Sequence, residues 1–181
     1  MHLTPVSLLE RLRMPNEPAA WDRFVDLYSP LLLEWARKIG RQDSDAADLV
    51  QDVFLLLFRK LPLFEYDPQR SFHGWLRRVF LNQHRLRVRA RAEFPLEAAE
   101  EVADPLIDDS ADDQRYLAQR ALRIIERDFS PLLWKAFHAY AIEERSPDDI
   151  AVELGISRGT VYSVKSKVIH RLRQEFAHLL D

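Results

Sequence analysis

The stretch SPDDIAVELGISRGTV, residues 146–161, decides the fold of the C-terminal part of the chain. Ser146 can cap a helix whose first residue is Pro147, because proline suits the first helical position. Gly155 supplies the left-handed residue of a tight turn, and Ser157 can cap a second helix. A helix, a short turn with glycine and a second helix together predict a helix-turn-helix unit.

The second helix of this unit has two contrasting faces. Four apolar residues at helical spacing predict its buried stripe: Val161, Val164, Val168 and Leu172. The opposite face carries hydroxyls and cations but no carboxylate: Thr160, Tyr162, Ser163, Ser166, Lys167, His170 and Arg173. Such a face suits a helix that lies among the phosphates and base edges of the major groove. A merely solvated face is the alternative, but the agreement of turn, caps and face favours binding to duplex DNA.

The rest of the chain also predicts helices. Apolar residues recur at three- and four-residue steps over residues 21–35, and a second helix begins near Asp43 and ends at Pro62. A third helix spans about residues 71–91, and a further set begins near Asp112. Only four glycines in 181 residues argue against hairpin-rich sheets. The predicted fold class is all-α: two small helical domains joined by an acidic linker, the C-terminal one a helix-turn-helix.

The charges are segregated along the chain. The formal net charge of −3 is, taken alone, low for a protein that binds nucleic acid. Residues 70–91, however, hold seven arginines and no acid, and residues 92–114 hold nine acids and no base. Residues 154–181 carry a net charge of +3. Because basic segments flank an acidic one, we expect domains at residues 1–94 and 115–181 with a linker at 95–114.

The composition excludes several kinds of site. Without cysteine the chain has no disulfide, no thiolate nucleophile and no cysteine-ligated metal. Its six histidines lack zinc-binding spacing, and no glycine-rich loop or nucleophile arrangement accompanies its carboxylates. The longest apolar run, residues 53–58, is far shorter than the ~20 residues that a transmembrane helix requires. We expect a cytoplasmic protein that is not an enzyme, with no catalytic residue, cofactor, metal or membrane partner.

The third helix combines arginines with aromatic residues. It carries Phe72, Trp75, Phe80 and Asn82 among its arginines. Aromatic rings can stack on unpaired bases while arginines hold the phosphates, so the pattern favours single-stranded nucleic acid. The alternative is that Phe72, Trp75 and Val79 belong to the hydrophobic core, and for Trp75 this interpretation is favoured.

Several motifs resemble one protein family. DAADLVQDVF at 45–54 and FHGWLRRV at 72–79, followed by Asn82, are similar to region two of bacterial extracytoplasmic-function (ECF) sigma factors. DDIAVELGISRGTV at 148–161 is similar to their region four. The motifs stand in the family's order, and the resemblance covers about residues 20–175. It implies a subunit that binds core RNA polymerase and directs promoter-specific initiation of transcription on duplex and single-stranded promoter DNA.

The resemblance also implies roles for individual residues. The residues that would dock on the clamp helices of the largest polymerase subunit, with Arg59 flanking them, are Asp48, Gln51 and Asp52. The residues that would open and hold the minus-ten element lie on the basic helix and an 86–94 loop: Arg78, Asn82, Arg85, Arg87 and Arg89. The residues that would read base edges of the minus-thirty-five element are Tyr162, Ser163, Ser166 and Lys167. The residues that would contact its phosphates are Arg158 and Thr160.

Two further expectations concern partners and the linker. A stand-alone helix-turn-helix repressor or activator is the alternative, and it would bind duplex DNA tightly without polymerase. A sigma factor binds tightly only after joining the core enzyme, and the resemblance leaves room for an anti-sigma factor. The charge of −9 over residues 92–114 suggests that the linker lies near the polymerase active-site channel or covers the basic faces of the free protein.

Overall fold

A computed structural model describes residues 7–14, 17–63, 71–91 and 111–177. Within these ranges the chain forms helices and no strand, which confirms the predicted all-α fold class. The helices are α1 (Leu8–Arg11), α2 (Pro18–Lys38), α3 (Asp43–Lys60), α4 (Phe72–Arg91), α5 (Ala111–Glu126), α6 (Pro131–Ala141), α7 (Pro147–Leu154) and α8 (Arg158–Phe176). None of the helices in these ranges has the length and apolarity needed to cross a bilayer.

Local sequence signals set several helix boundaries. α3 ends at Lys60, two residues before Pro62, as the missing N–H of proline requires. Gly155 has a φ of 63° and ends α7, and the Ser157 hydroxyl caps α8. Ser146 is the N-cap residue of α7, as predicted, but its side chain makes no capping hydrogen bond. Two acidic residues in the first turn of α7 face the positive end of the helix dipole instead.

Helices α1–α4 form an N-terminal unit around an aromatic core. Phe24 and Tyr28 lie 4.9 Å apart between ring centroids, and Trp35 and Phe80 lie 5.6 Å apart. Phe72 is also buried, so the aromatic residues of the basic helix α4 serve the core. Trp75, also on α4, is half-buried and packs on Phe72 with a centroid distance of 5.4 Å.

Helices α6–α8 form a C-terminal unit. Val161, Val164 and Val168 are fully buried, which confirms the stripe predicted for this helix. Leu172 is half-buried against the same core. The face of α8 opposite the stripe is therefore left to solvent or to a partner.

Helix α5 connects the two units by packing against α2 and α8. Its buried apolar residues are Leu117, Ala121, Ile124 and Ile125. Asp113 is buried as well, and it accepts a hydrogen bond of 3.0 Å from the Trp35 indole N–H. Residues 111–114 thus belong to α5, although the charge pattern predicts them to be linker. The remaining residues of the predicted linker, and the predicted loop at 64–68, lie outside the described residues.

A proline inside α2 contributes to the contact with α5. Pro30 has no N–H, so the carbonyl of Asp26 four residues earlier lacks its helical donor. Arg120 of α5 donates through Nη2 to that carbonyl and to the Asp26 carboxylate. The proline thereby leaves open an acceptor that the neighbouring helix uses.

Five charged side chains tie the end of α8 to α1 and α2. We call them the inter-unit ion cluster: Arg11, Arg23, Asp128, Arg171 and Glu175. The Glu175 side chain is 1% exposed, and its oxygens lie 3.0 Å from Arg11, 2.8 Å from Arg171 and 3.5 Å from Arg23. Asp128 lies 2.6 Å from Arg23 and 2.9 Å from Arg171. Burial alone would raise the pKa of Asp128, but the hydrogen bonds and charges of both arginines lower it.

Replacing Glu175 tests the contribution of this cluster. Glu175→Gln removes a buried negative charge from among three guanidinium groups, so the free energy of unfolding should fall by about 1–3 kcal/mol. Urea unfolding followed by circular dichroism measures the change. Glu34→Gln is the matched control, because Glu34 is 48% exposed and, within the described part of the chain, forms an ion pair only with Lys38 of the same helix. Its effect should stay below about 0.5 kcal/mol, and equal losses in both variants would contradict the role of the cluster.

Candidate functional site

The outer face of α3 carries the three residues predicted to bind polymerase. Asp48, Gln51 and Asp52 follow one another at helical spacing and therefore share a face. The Asp48 side chain is 61% exposed and that of Asp52 is 35% exposed. The same face continues with two exposed apolar residues, Leu55 and Phe58. An acidic half and an apolar half together make this a surface suited to a protein partner.

Neither Leu55 nor Phe58 is among the residues predicted from the sequence. Both belong to the continuous apolar run 53–58, in which helical periodicity alone cannot separate buried from exposed positions. The signal that could have identified them is their register. Leu55 follows Asp52 by three residues, and Phe58 follows Leu55 by three, whereas buried Val53 and Leu57 lie on the other side of the helix.

Four of the five predicted minus-ten residues form a stripe on α4. Arg78, Asn82, Arg85 and Arg89 are spaced by four, three and four residues, which keeps them within about 60° of one another at 100° per residue. Arg78, Asn82 and Arg89 are exposed, and Arg85 is half-buried. Arg85 donates a hydrogen bond of 3.3 Å to the side-chain oxygen of Asn82. We call these four residues the α4 stripe.

Arg87 lies on the other side of α4 and contacts α3. Its Nε lies 2.8 Å from Asp52 and its Nη2 4.0 Å from Asp48. Its Nη1 donates to the carbonyl of Asp45 at 3.4 Å. The structure thus brings a residue predicted for the minus-ten element together with two residues predicted for polymerase. Arg87 points away from the α4 stripe, because nine positions from Arg78 correspond to a rotation of about 180°.

The region predicted as an 86–94 loop is helical as far as Arg91. The prediction of a loop is wrong for residues 86–91, and residues 92–94 lie outside the described residues. Continuous helix has a physical cause here, since residues 86–91 contain no glycine or proline and favour helical propagation.

His84 anchors α4 beneath the stripe. It is buried, and its Nδ1 lies 3.1 Å from Nη2 of Arg41. Burial lowers its pKa, and the positive charges of Arg41 and Arg85 lower it further. A neutral imidazole can accept the hydrogen bond from Arg41. His84 is thus a structural contact, and among the described residues no group of three or more potential metal ligands comes together.

The predicted DNA-reading face of α8 begins with hydroxyls that serve the helix itself. The backbone N–H of Thr160 donates to the Ser157 hydroxyl at 3.1 Å, and the two hydroxyl oxygens lie 2.8 Å apart. Ser163 is half-buried, and its hydroxyl donates to the Thr160 carbonyl at 3.1 Å. Ser166 and Lys167 are exposed farther along the helix. The residues that line a shallow groove of about 600 Å³ there are Ser166, Lys167, Ile169, His170 and Arg173.

Arg158 and Tyr162 lie together at the start of α8. Both are exposed, and Arg158 Nη2 donates to the Tyr162 hydroxyl at 3.4 Å. Arg158 Nη1 also lies 3.3 Å from the carboxylate of Asp148 on α7. Arg158, predicted to contact phosphate, is therefore held by α7 in the free protein.

Comparison with known proteins agrees with this arrangement. Residues 24–93, which span most of α2 and all of α3 and α4, match the family model described as Sigma-70 region 2. The chain is 30% identical over 165 residues to the "ECF RNA polymerase sigma factor SigE" of Mycolicibacterium smegmatis. This alignment covers 89% of this chain and 62% of that protein. It is 29% identical over 166 residues to the "RNA polymerase sigma-E factor" of Streptomyces avermitilis, which covers 88% of this chain and 87% of that protein.

The helices α2–α4 thus define a protein with a sigma-70 region 2 domain. Most of the chain aligns at about 30% identity with proteins named as RNA polymerase sigma factors, one of them as an ECF sigma factor. The chain is therefore similar to ECF RNA polymerase sigma factors, and it spans 62% of the length of the first of these relatives.

Substitutions of two arginines of α4 distinguish the side of the helix that packs on α3 from the side that carries the α4 stripe. Arg87→Ala removes the ion pair with Asp52 and the hydrogen bond to α3, so it should lower the free energy of unfolding by about 1 kcal/mol. Arg89→Ala, at an exposed position, should change it by less than about 0.5 kcal/mol. Urea unfolding of the two variants measures the difference.

For binding to a single-stranded promoter oligonucleotide, we expect the opposite result: Arg89→Ala should have the larger effect and Arg87→Ala the smaller one. In the complex with core polymerase, Arg89→Ala should weaken binding about three- to tenfold through loss of a phosphate contact. Arg87→Ala should bind like the unmodified protein. Fluorescence anisotropy at fixed salt measures both, and an Arg87→Ala variant that is fully stable but weak in binding would place Arg87 with the stripe.

Proposed function

We propose that this chain is a promoter-specificity subunit that binds core RNA polymerase, opens the minus-ten element and reads the minus-thirty-five element. The observation that carries the proposal is the two-sided geometry of α4. Arg87 fastens one side of α4 to the acidic end of α3, while the α4 stripe faces the opposite direction. A protein partner on α3 and a DNA strand on the stripe can therefore be held at the same time.

The polymerase-binding surface is the outer face of α3. Asp48 and Asp52 suit a partner helix that presents arginine or lysine, and the exposed Leu55 and Phe58 suit an apolar patch beside it. Charged residues guide association, while buried apolar contacts supply most of the binding free energy. The combination of charged and apolar contacts favours a stable complex with a large protein surface over a transient one.

The α4 stripe is suited to an opened strand. Its arginines neutralise phosphates, and Asn82 offers a donor and an acceptor to the edge of an unpaired base. Extruding a base costs a few kcal/mol, which stacking and phosphate contacts must offset. The stripe contributes binding and positioning only, so we assign no catalytic residue and propose a protein without chemistry of its own.

In this proposal, the helix-turn-helix formed by α7 and α8 binds the minus-thirty-five element. The buried valines seat α8 on the C-terminal unit, and Tyr162, Ser166 and Lys167 remain exposed on the other face. Ser163 contributes less than the sequence predicts, since its hydroxyl is engaged by the Thr160 carbonyl. The domains that we propose are residues 1–94 and 115–181, and α5, which begins at Ala111, leads into the second domain.

The packed units can reach only one promoter element at a time. A compact chain of this length has a radius of gyration of about 16 Å. Two elements about 25 base pairs apart lie about 85 Å from each other at 3.4 Å per base pair. The 19 residues between α4 and α5 can extend to about 65 Å. We therefore propose that the inter-unit ion cluster opens when the protein engages polymerase and both elements.

Labelling at two introduced cysteines tests this opening, because the chain has none of its own. Lys60→Cys on α3 and Leu132→Cys on α6, where Leu132 is exposed, accept a donor and an acceptor dye. Energy transfer should be high in the free protein and should fall strongly after addition of core polymerase and promoter DNA. Unchanged transfer in a complex that protects both elements from nuclease would contradict the opening.

Neutralising Asp48 tests the polymerase surface. Asp48→Asn should weaken retention on immobilised core RNA polymerase about three- to tenfold, because an exposed carboxylate loses its cationic partner. Glu34→Gln, which removes an exposed carboxylate from α2, should bind like the unmodified protein. Run-off transcription on a promoter library is the second measurement. An unmodified protein that binds duplex DNA tightly and ignores core polymerase would overturn the proposal in favour of a stand-alone repressor.

A further inference from the structure

A cluster of rings and cations braces the start of α8. The Tyr162 ring stands against the ring of Tyr140 on α6, with centroids 5.6 Å apart and planes at 88°. The Arg158 guanidinium lies 5.7 Å from the centre of the Tyr162 ring. The Lys165 ammonium lies 5.7 Å from the centre of the Tyr140 ring. Tyr140 thus belongs to α6, and both of these contacts join it to residues of α8.

The geometry of the two rings is a favourable one. Perpendicular aromatic pairs with centroids 4.5–7 Å apart gain energy, because the positive edge of one ring meets the negative face of the other. A cation over each ring adds a further attraction. Tyr162 is nevertheless 44% exposed, so these contacts hold its ring while part of the side chain stays accessible.

Such bracing is unexpected for a solvated helix face. An exposed tyrosine normally keeps its rotamer freedom, and ordering it costs entropy that a purely solvated role does not return. A residue that contacts a base edge binds more tightly when it is already ordered, because the loss of side-chain entropy then occurs on folding and not on binding to DNA. Tyr162 lies one turn from the start of α8, and the N-terminal residues of a recognition helix are those that reach base edges.

We propose that Tyr140 is a positioning residue that fixes Tyr162 as the specificity-determining residue for one base pair of the minus-thirty-five element. The ring of Tyr162 offers an apolar surface, and in the major groove the matching group is the 5-methyl of thymine. This inference rests on the proposed function, because it assigns the reading of that element to α8. It adds a residue of α6, a helix outside the helix-turn-helix formed by α7 and α8.

The experiment uses the full-length chain in complex with core polymerase and a promoter library randomised over the minus-thirty-five element. Tyr140→Leu removes the ring and keeps an apolar side chain, so preference for thymine at one position should fall about three- to tenfold. Tyr140→Phe keeps the ring and should retain the preference. The dependence of affinity on salt should be the same in both variants, because no phosphate contact is lost.

A double variant separates positioning from a general loss of structure. On a Tyr162→Ala background, Tyr140→Leu should cause no further loss of preference, since the residue that it positions is gone. A Tyr140→Leu variant with unchanged base preference would overturn the inference. Additive losses in the double variant, or equal weakening at every base pair, would overturn it too. If the unmodified complex binds core polymerase but shows no preference at this element, the proposed role of α8 fails along with it.

Discussion

The arrangement of the two units depends on a buried carboxylate. Glu175 lies in the last full turn of α8, almost without solvent contact, with guanidinium groups from α1, α2 and its own helix around it. A buried charge is stable only when opposite charges surround it, so α8 cannot shift along α2 without exposing or unpairing this group. The end of α8 is therefore fixed to the N-terminal unit, while its beginning is held by α6 and α7 and keeps its polar face open.

Helix α4 shows how one basic helix serves two purposes. A count of charge assigns all of its arginines to nucleic acid, but a helix presents them in different directions. Arg87 stabilises the packing of α4 on α3, whereas the α4 stripe lies on the opposite side, where we propose that it holds a strand of DNA. The two groups are separated by rotation about the helix axis and not by position along the chain. The packing contact and the proposed DNA-binding surface are therefore close in sequence and distinct in space.

Local features of the fold could be predicted from the sequence, and long-range ones could not. The turn at Gly155, the cap at Ser157 and the valine stripe of α8 each depend on neighbours within one or two turns. The contact of Trp35 with Asp113 joins residues 78 positions apart, and that of Arg11 with Glu175 joins residues 164 positions apart. No periodicity encodes such pairs, and the charge pattern alone predicts that Asp113 lies in the linker. The bracing of Tyr162 by Tyr140 depends in the same way on how α6 packs against α8.

Pro30 has a meaning beyond the geometry of α2. Most residues in the middle of a helix offer a neighbour only side chains, because their backbone groups are already bonded. Because it has no N–H, Pro30 leaves the carbonyl of Asp26, in the middle of α2, without its helical donor, and Arg120 donates to it instead. That carbonyl has a fixed position along the axis of α2, so its hydrogen bond with Arg120 determines where α5 packs along α2. A residue usually regarded as a defect in a helix thus helps to set the register in which α5 packs on α2.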